Sequence, residues 1–317
     1  ISEMSKLFDP IIDQIHSIEE LPLEECEMYD VGMVDTPHTF FANNILVHNS
    51  CFFESLPLIE HRYPNNQFTD EQLVEKTIEI AKEVEEFVNK SYDLYAKRYH
   101  NCDTHTWRIK QEMVGKRAFW GSKKKRYAMW IVNKNGLTVD DIEIKGFDNV
   151  RSSFPKMFRS IMKEIIVDIL HDVSVKELNT KVHTFKKQYK DSNIFDIMLP
   201  TSVKEISKYK YGQKGTPVHV KSAQHYNQML NLLKDDSIPP IVDGDKIVWA
   251  YLRTNPYGFE TMALKGQGED SQSLVEFVEK FIAREQIFEG TLMTKLNAIW
   301  EDLGWGNVIL EDESEFF

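Results

Sequence analysis

Phe40-Phe41-Ala42-Asn43-Asn44-Ile45-Leu46-Val47-His48-Asn49-Ser50 is the stretch that divides this chain. Its apolar residues predict an extended, strand-like run over residues 40–47, and the run closes on three side chains with a shared chemistry. The side-chain amide nitrogen of an Asn can attack its own main-chain carbonyl, close a succinimide and cut the chain after itself. The departing amide must be protonated and the carbonyl polarised, a task suited to an imidazole one residue earlier. A hydroxyl one residue later can accept an acyl group as an ester before the Asn cyclises. His48, Asn49 and Ser50 supply these groups in order. An isolated His-Asn-Ser triplet is also what the end of a buried strand looks like, so the surrounding frame decides between the two.

That frame, Phe-Phe-Ala-Asn-x-Ile-Leu-Val before the triplet, resembles the C-terminal splice junction of inteins. His38, eleven residues before Asn49, stands where inteins of this type carry a second His that assists transfer and cyclisation. Asp30, in Tyr29-Asp30-Val31, resembles the Asp of the same block that tunes the nucleophile, and Asp35 is the other candidate. The resemblance implies that residues 1–49 are a β-rich C-terminal intein segment. Its N-terminal half, with its own Cys or Ser nucleophile, is then supplied either in trans or from sequence upstream. Ile1 in place of Met fits a fragment or a processed chain.

Charge follows the same division. The 317 residues carry 50 acids and 38 bases, a net charge of -12. Residues 1–49 hold ten acids and one base, Lys6, and the last seven residues hold four acids, which leaves 36 acids and 37 bases over residues 50–310. The acidity sits at the ends, and the body can carry a basic face. Hydrophobic content of 42% and charged content of 28% are those of an ordinary globular chain. No run approaches the roughly 20 apolar residues of a membrane span, and no signal pattern opens the chain. Cys26, Cys51 and Cys102 have neither metal-ligand spacing nor an even disulfide framework. A reducing, cytoplasmic setting is expected.

After the junction, Thr69 with Gln72 makes a capping box before a long helix marked by Leu73, Ile80, Val84, Phe87, Tyr92 and Tyr95. Strands are predicted over residues 106–113 and 127–132, around a turn rich in Gly and Lys, and Asn135-Gly136 signals a hairpin. Phe158, Ile161, Ile165, Ile166 and Ile169 predict an amphipathic helix entered at Pro155. A second helix is predicted over 174–189, extended segments over 218–221 and 246–252, and helix again over 274–299. The fold class is α+β: a small β-rich leader, a mixed region with antiparallel strands, then a largely helical part.

A second resemblance, to the C-terminal palm and thumb of phage-type family B DNA polymerases, extends over nearly all of residues 50–317 and is carried chiefly by three runs. Ser50-Cys51-Phe52-Phe53 resembles the end of the palm motif Asp-Thr-Asp-Ser. Arg108-Ile109-Lys110-Gln111-Glu112-Met113, with Phe119-Trp120-Gly121-Ser122-Lys123-Lys124-Lys125-Arg126-Tyr127-Ala128, resembles the Lys-x-Tyr motif and its preceding strand. Lys145-Gly146-Phe147-Asp148-Asn149-Val150-Arg151-Ser152-Ser153-Phe154-Pro155 resembles the passage from palm to thumb. Cations beside a tyrosine suit phosphate contacts that ignore base sequence, although a charge run of this kind is also a solvated turn.

The resemblance implies domains at 1–49 (intein segment), 50–150 (palm remainder) and 151–317 (thumb). Lys125 and Tyr127 would hold the primer–template duplex, with Lys124, Arg126, Lys145 and Arg151 adding charge along its backbone. It also implies two Mg²⁺ ions, bound mainly by carboxylates of an N-terminal palm part, and Glu112 stands equally between a place near those metals and an ordinary strand Glu paired with Lys. The implied partners are an N-terminal polymerase segment carrying the other intein half, deoxynucleotides, and a sliding clamp docked through Phe316 and Phe317 at the acidic tail. No membrane is implied. The activity implied is that of the C-terminal part of a DNA-directed DNA polymerase of phage replication, joined to its N-terminal part by splicing through Asn49 and Ser50. The alternative is a non-catalytic DNA-holding and clamp-binding subunit with a decayed intein relic.

Overall fold

The computed structural model describes residues 39–42, 45–48, 52–100, 103, 109–123, 125–235 and 237–310, with the backbone alone at 39–42, 45–48, 99 and 100. It is about 49% helical and 17% strand, an α+β chain, and it divides into two compact units. One comprises residues 1–114 with 133–137, the other 115–132 with 138–317. Among the described residues no helix is long and apolar enough to cross a membrane.

In the first unit, β1 (Thr39–Ala42) and β2 (Ile45–His48) form an antiparallel hairpin in which Thr39 pairs with His48 and Ala42 with Ile45. The single run expected over 40–47 is therefore two described strands, one ending at Ala42 and the other starting at Ile45. The short α1 (Leu56–Arg62) lies against α2 (Asp70–His100). Thr69 N donates to Gln72 Oε1 at 2.9 Å and Gln72 N to Thr69 Oγ1 at 3.4 Å, so the capping box forms. Arg62 grips Glu83 with two bonds of 2.8 and 2.7 Å, and Ser55 Oγ lies 2.8 Å from Thr77 Oγ1.

The strand expected over 106–113 is corrected in its described part: residues 109–112 are not strand. Asn89 on α2 takes both main-chain groups of Ile109, at 3.0 Å each, and Glu85 accepts from Gln111 N at 3.2 Å. Side chains here satisfy the backbone groups that a neighbouring strand would otherwise satisfy. The strand proper, β3 (Met113–Trp120), begins where these clamps end and fills most of what the sequence suggested as a turn. It pairs with β4 (Tyr127–Lys134), which pairs with β5 (Leu137–Lys145). Asn135 and Gly136 both have positive φ, +51° and +82°, as a two-residue hairpin turn requires.

The second unit is built on α3 (Lys156–Leu170) and α4 (Val175–Lys190). Phe158, Ile161, Met162, Ile165, Ile166 and Ile169 recur at helical period and are all buried. Ser174 and Glu177 close a capping box at the start of α4. After α5 (Ile194–Ile197), β6 (Leu199–Ser202), β7 (Lys246–Tyr251) and β8 (Thr261–Leu264) make an antiparallel sheet, with Leu199 opposite Trp249 and Val248 opposite Leu264. The extended segment expected over 218–221 is corrected as well: it opens α6 (Val218–Leu233), which packs on β8. Val218 and Val220 suit a strand by propensity. Pro217 sets the entry, however, and Val220, Ala223, Tyr226, Met229 and Leu230 bury one helical face.

The helix expected over 274–299 is interrupted. α7 (Gln272–Phe281) ends, and Ile282 bridges Leu252 while Ala283 N donates to Tyr251 O at 2.8 Å, so the chain briefly extends the sheet. It then re-enters helix through α8 (Arg284–Ile287), a π-helical stretch over Phe288–Met293, and α9 (Thr294–Asp302). The wider turn keeps Phe288, Leu292, Met293, Leu296 and Trp300 in one core. Phe158 sits at its centre, with ring centroids at 5.4 Å from Tyr189 and 6.5 Å from Phe288.

Candidate nucleic-acid interface

The basic run folds as a tight turn between β3 and β4. Gly121 N donates to Arg126 O at 2.9 Å and Arg126 N to Lys123 O at 3.3 Å, while Lys125 takes the left-handed conformation with φ +63°. The second predicted run lies against this turn. Gly146 has φ +72°, and a Cβ there would meet the carbonyl oxygen of Lys125 at 2.1 Å. Only glycine lets the two backbones approach so closely.

Lys125 and Tyr127 are half-buried, and Arg126 is turned inward. The Arg126 guanidinium lies 5.8 Å from the centroid of the Phe147 ring, and its Nη2 donates to Asp148 Oδ2 at 3.2 Å. The side chains of Arg126 and Asp148 are 10% and 8% exposed. Charge that the sequence offered to a partner is thus engaged inside the fold. Arg151 lies 3.4 Å from the other Asp148 oxygen and stays 56% exposed. Tyr127 donates its hydroxyl to Glu143 Oε1 at 2.7 Å, and Lys145, 57% exposed, holds its Nζ 3.9 Å from the same oxygen. Lys125, Tyr127, Lys145 and Arg151 are therefore brought together by one turn, one strand pair and one short 3₁₀ turn over Asp148–Val150.

Two features escape a reading of the sequence. Lys295, on α9, places its Nζ 3.6 Å from Asp148 Oδ2, a contact with no local signature. Arg117 on β3 pairs with Asp172 beyond α3 at 2.8 Å, and this guanidinium holds the Asp172 carboxyl below its usual range. The remaining predicted residues divide by location. Glu112 is exposed, and its main-chain oxygen accepts from Asn135 N at 2.7 Å. His48 is the last residue of β2, described by its backbone alone. Asp30, Asp35, His38, Asn49, Ser50, Lys124, Phe316 and Phe317 lie outside the described residues.

Among the described residues no three His, Cys, Asp or Glu side chains converge in a group that could hold a metal. The donor set for the implied Mg²⁺ pair is therefore not found in them. What the cluster can do chemically is offer several cations and a tyrosine ring at one place, an arrangement suited to phosphates rather than to covalent catalysis.

No family model matches the chain. Over 184 residues, 56% of its length, it is 26% identical to the DNA-directed DNA polymerase of Escherichia phage RB69. It spans about a fifth, 20%, of that relative's length. The chain is thus a distant, partial relative of a phage DNA-directed DNA polymerase.

Proposed function

We propose that the chain is the C-terminal part of a phage-type DNA-directed DNA polymerase and that it grips the primer–template duplex through the turn at Lys125 and the passage at Arg151. The observation that carries this reading is the convergence of two separate basic runs on one place, in a chain similar to a phage polymerase. Residues 50–150 would be the palm remainder and 151–317 the thumb. The polymerising step, with its deoxynucleotides and two Mg²⁺ ions, would belong to the joined enzyme, whose principal carboxylates come from an upstream segment. This chain's own residues would position the duplex, with the terminal Phe316 and Phe317 docking on a sliding clamp. The test is to titrate the full chain against labelled primer–template duplexes of unrelated sequence and against single strands. Comparable affinity for every duplex, above that for single strands, is expected. A preference for single strands, or no binding at low salt, rejects the reading.

The hairpin of β1 and β2 favours a second activity, splicing at the Asn49–Ser50 bond. Its last described pair is Thr39 with His48, and the next residue along the chain from each is His38 and Asn49. What supports the reading is that the described hairpin ends at His48, one residue before Asn49 in the sequence. Supplying an N-terminal intein half should give a ligated product with wild-type chain and none with Asn49→Ala. Equal product from both would remove Asn49 from the chemistry.

A further inference from the structure

Three basic groups from three parts of the chain converge on one buried carboxylate. Arg126 reaches Asp148 from the turn after β3 at 3.2 Å, Arg151 from the entry to α3 at 3.4 Å, and Lys295 from α9 at 3.6 Å. A buried carboxylate requires such partners, but the partners differ in exposure. Arg126 is 10% exposed and bound to Asp148 by a hydrogen bond, whereas Arg151 is 56% and Lys295 34% exposed. The inward pull on Arg126 falls one residue after Lys125, whose left-handed backbone is already seated on Gly146.

We propose that Asp148 is a positioning residue for duplex binding. By holding Arg126 inward it fixes the backbone of Lys125, and by holding Arg151 it ties that turn to the start of the helical region. Lys125 and Arg151 then meet the phosphate backbone as one preset surface. This inference rests on the duplex-binding reading above. It also has a sign that simple electrostatics does not share. A carboxylate near DNA repels phosphates, so removing its charge alone should tighten binding. A positioning role requires the opposite, because the freed cations lose their common geometry.

The experiment is a salt-series titration of a labelled primer–template duplex with the full chain, comparing wild type, Lys125→Ala, Asp148→Asn and the double variant. Thermal unfolding confirms that each is folded. Asp148→Asn should weaken binding about fivefold to tenfold, in the range of one lost polar contact, and should cost less in the Lys125→Ala background, where only its hold on Arg151 remains to be lost. Tighter or unchanged binding by Asp148→Asn, or losses that multiply in the double variant, overturns the positioning role while leaving duplex binding intact. Absence of duplex binding by wild type, or no effect of Lys125→Ala at any salt, overturns the duplex reading and this inference with it. Should Asp148→Asn not fold, Arg126→Lys serves instead: it keeps the charge but not the planar fork. The same weakening is expected of it, and unchanged binding by folded Arg126→Lys overturns the proposal.

Discussion

The α-carbon of Gly146 faces the carbonyl oxygen of Lys125 so closely that a Cβ would stand 2.1 Å from it. The obstacle is main chain, which cannot swing aside as a flexible side chain could. Gly212 has nearly the same φ, +73° against +72°, but open space around the position a Cβ would take. The pair separates steric contact from backbone strain. Gly146→Ala should lower stability by about 3 kcal/mol or more, and Gly212→Ala by about 1–2 kcal/mol, the strain alone. Urea denaturation of both variants checks this, and equal losses would remove the close approach.

Phe158 offers a test of the helical core. It is fully buried, with Phe154, Phe185, Tyr189 and Phe288 around it at centroid distances of 5.4 to 6.5 Å. Phe158→Ala should destabilise by about 3–5 kcal/mol, from lost burial plus the cavity left behind. Phe158→Leu should cost less than half of that, because much of the volume is kept. A small and similar loss for both would mean that these rings do not form one packed cluster.

Alkaline pH gives a third prediction. Burial pushes the Tyr189 phenol well above its ordinary range, and Tyr226 is raised for the same reason. The folded chain therefore keeps protons that the unfolded chain releases above about pH 10. The stability linked to them is complete below that pH and is lost progressively as pH rises from the unfolded value toward the raised folded one. Tyr189→Phe removes one such group along with its 2.9 Å bond to the Arg284 carbonyl. Its stability should start lower near neutrality and fall less steeply between about pH 10 and 12. Denaturation curves across that range decide the matter, and parallel slopes for the two proteins would contradict it.

How much could be read in the sequence varies with the range of the interaction. α2 and α3 were legible because their signals are local: the Thr69–Gln72 box, and buried residues at helical spacing from Phe158 to Ile169. The helix expected over 174–189 is α4, whose Ser174–Glu177 box went unread. The start of β3 was not legible, since it depends on Asn89 and Glu85 of α2 capturing the backbone of Ile109 and Gln111. α6 was misread at Val218 and Val220, where β-branched propensity gave way to the face that packs on β8. Of the candidate site, two separate runs named Lys125 and Tyr127, and Lys145 and Arg151, without showing that they meet at one turn. They left Asp148 unremarked and Lys295 unseen, because their contact joins segments far apart in the chain.

Duplex gripping by the turn at Lys125 shows itself most plainly in the salt dependence of binding. Each phosphate neutralised contributes about 0.9 to the slope of log affinity against log salt. Wild-type chain on a primer–template duplex should give a steep slope that is the same for unrelated sequences. Lys125→Ala should bind more weakly at every salt, with a slope smaller by about one. Identical slopes and affinities for wild type and Lys125→Ala would contradict the account.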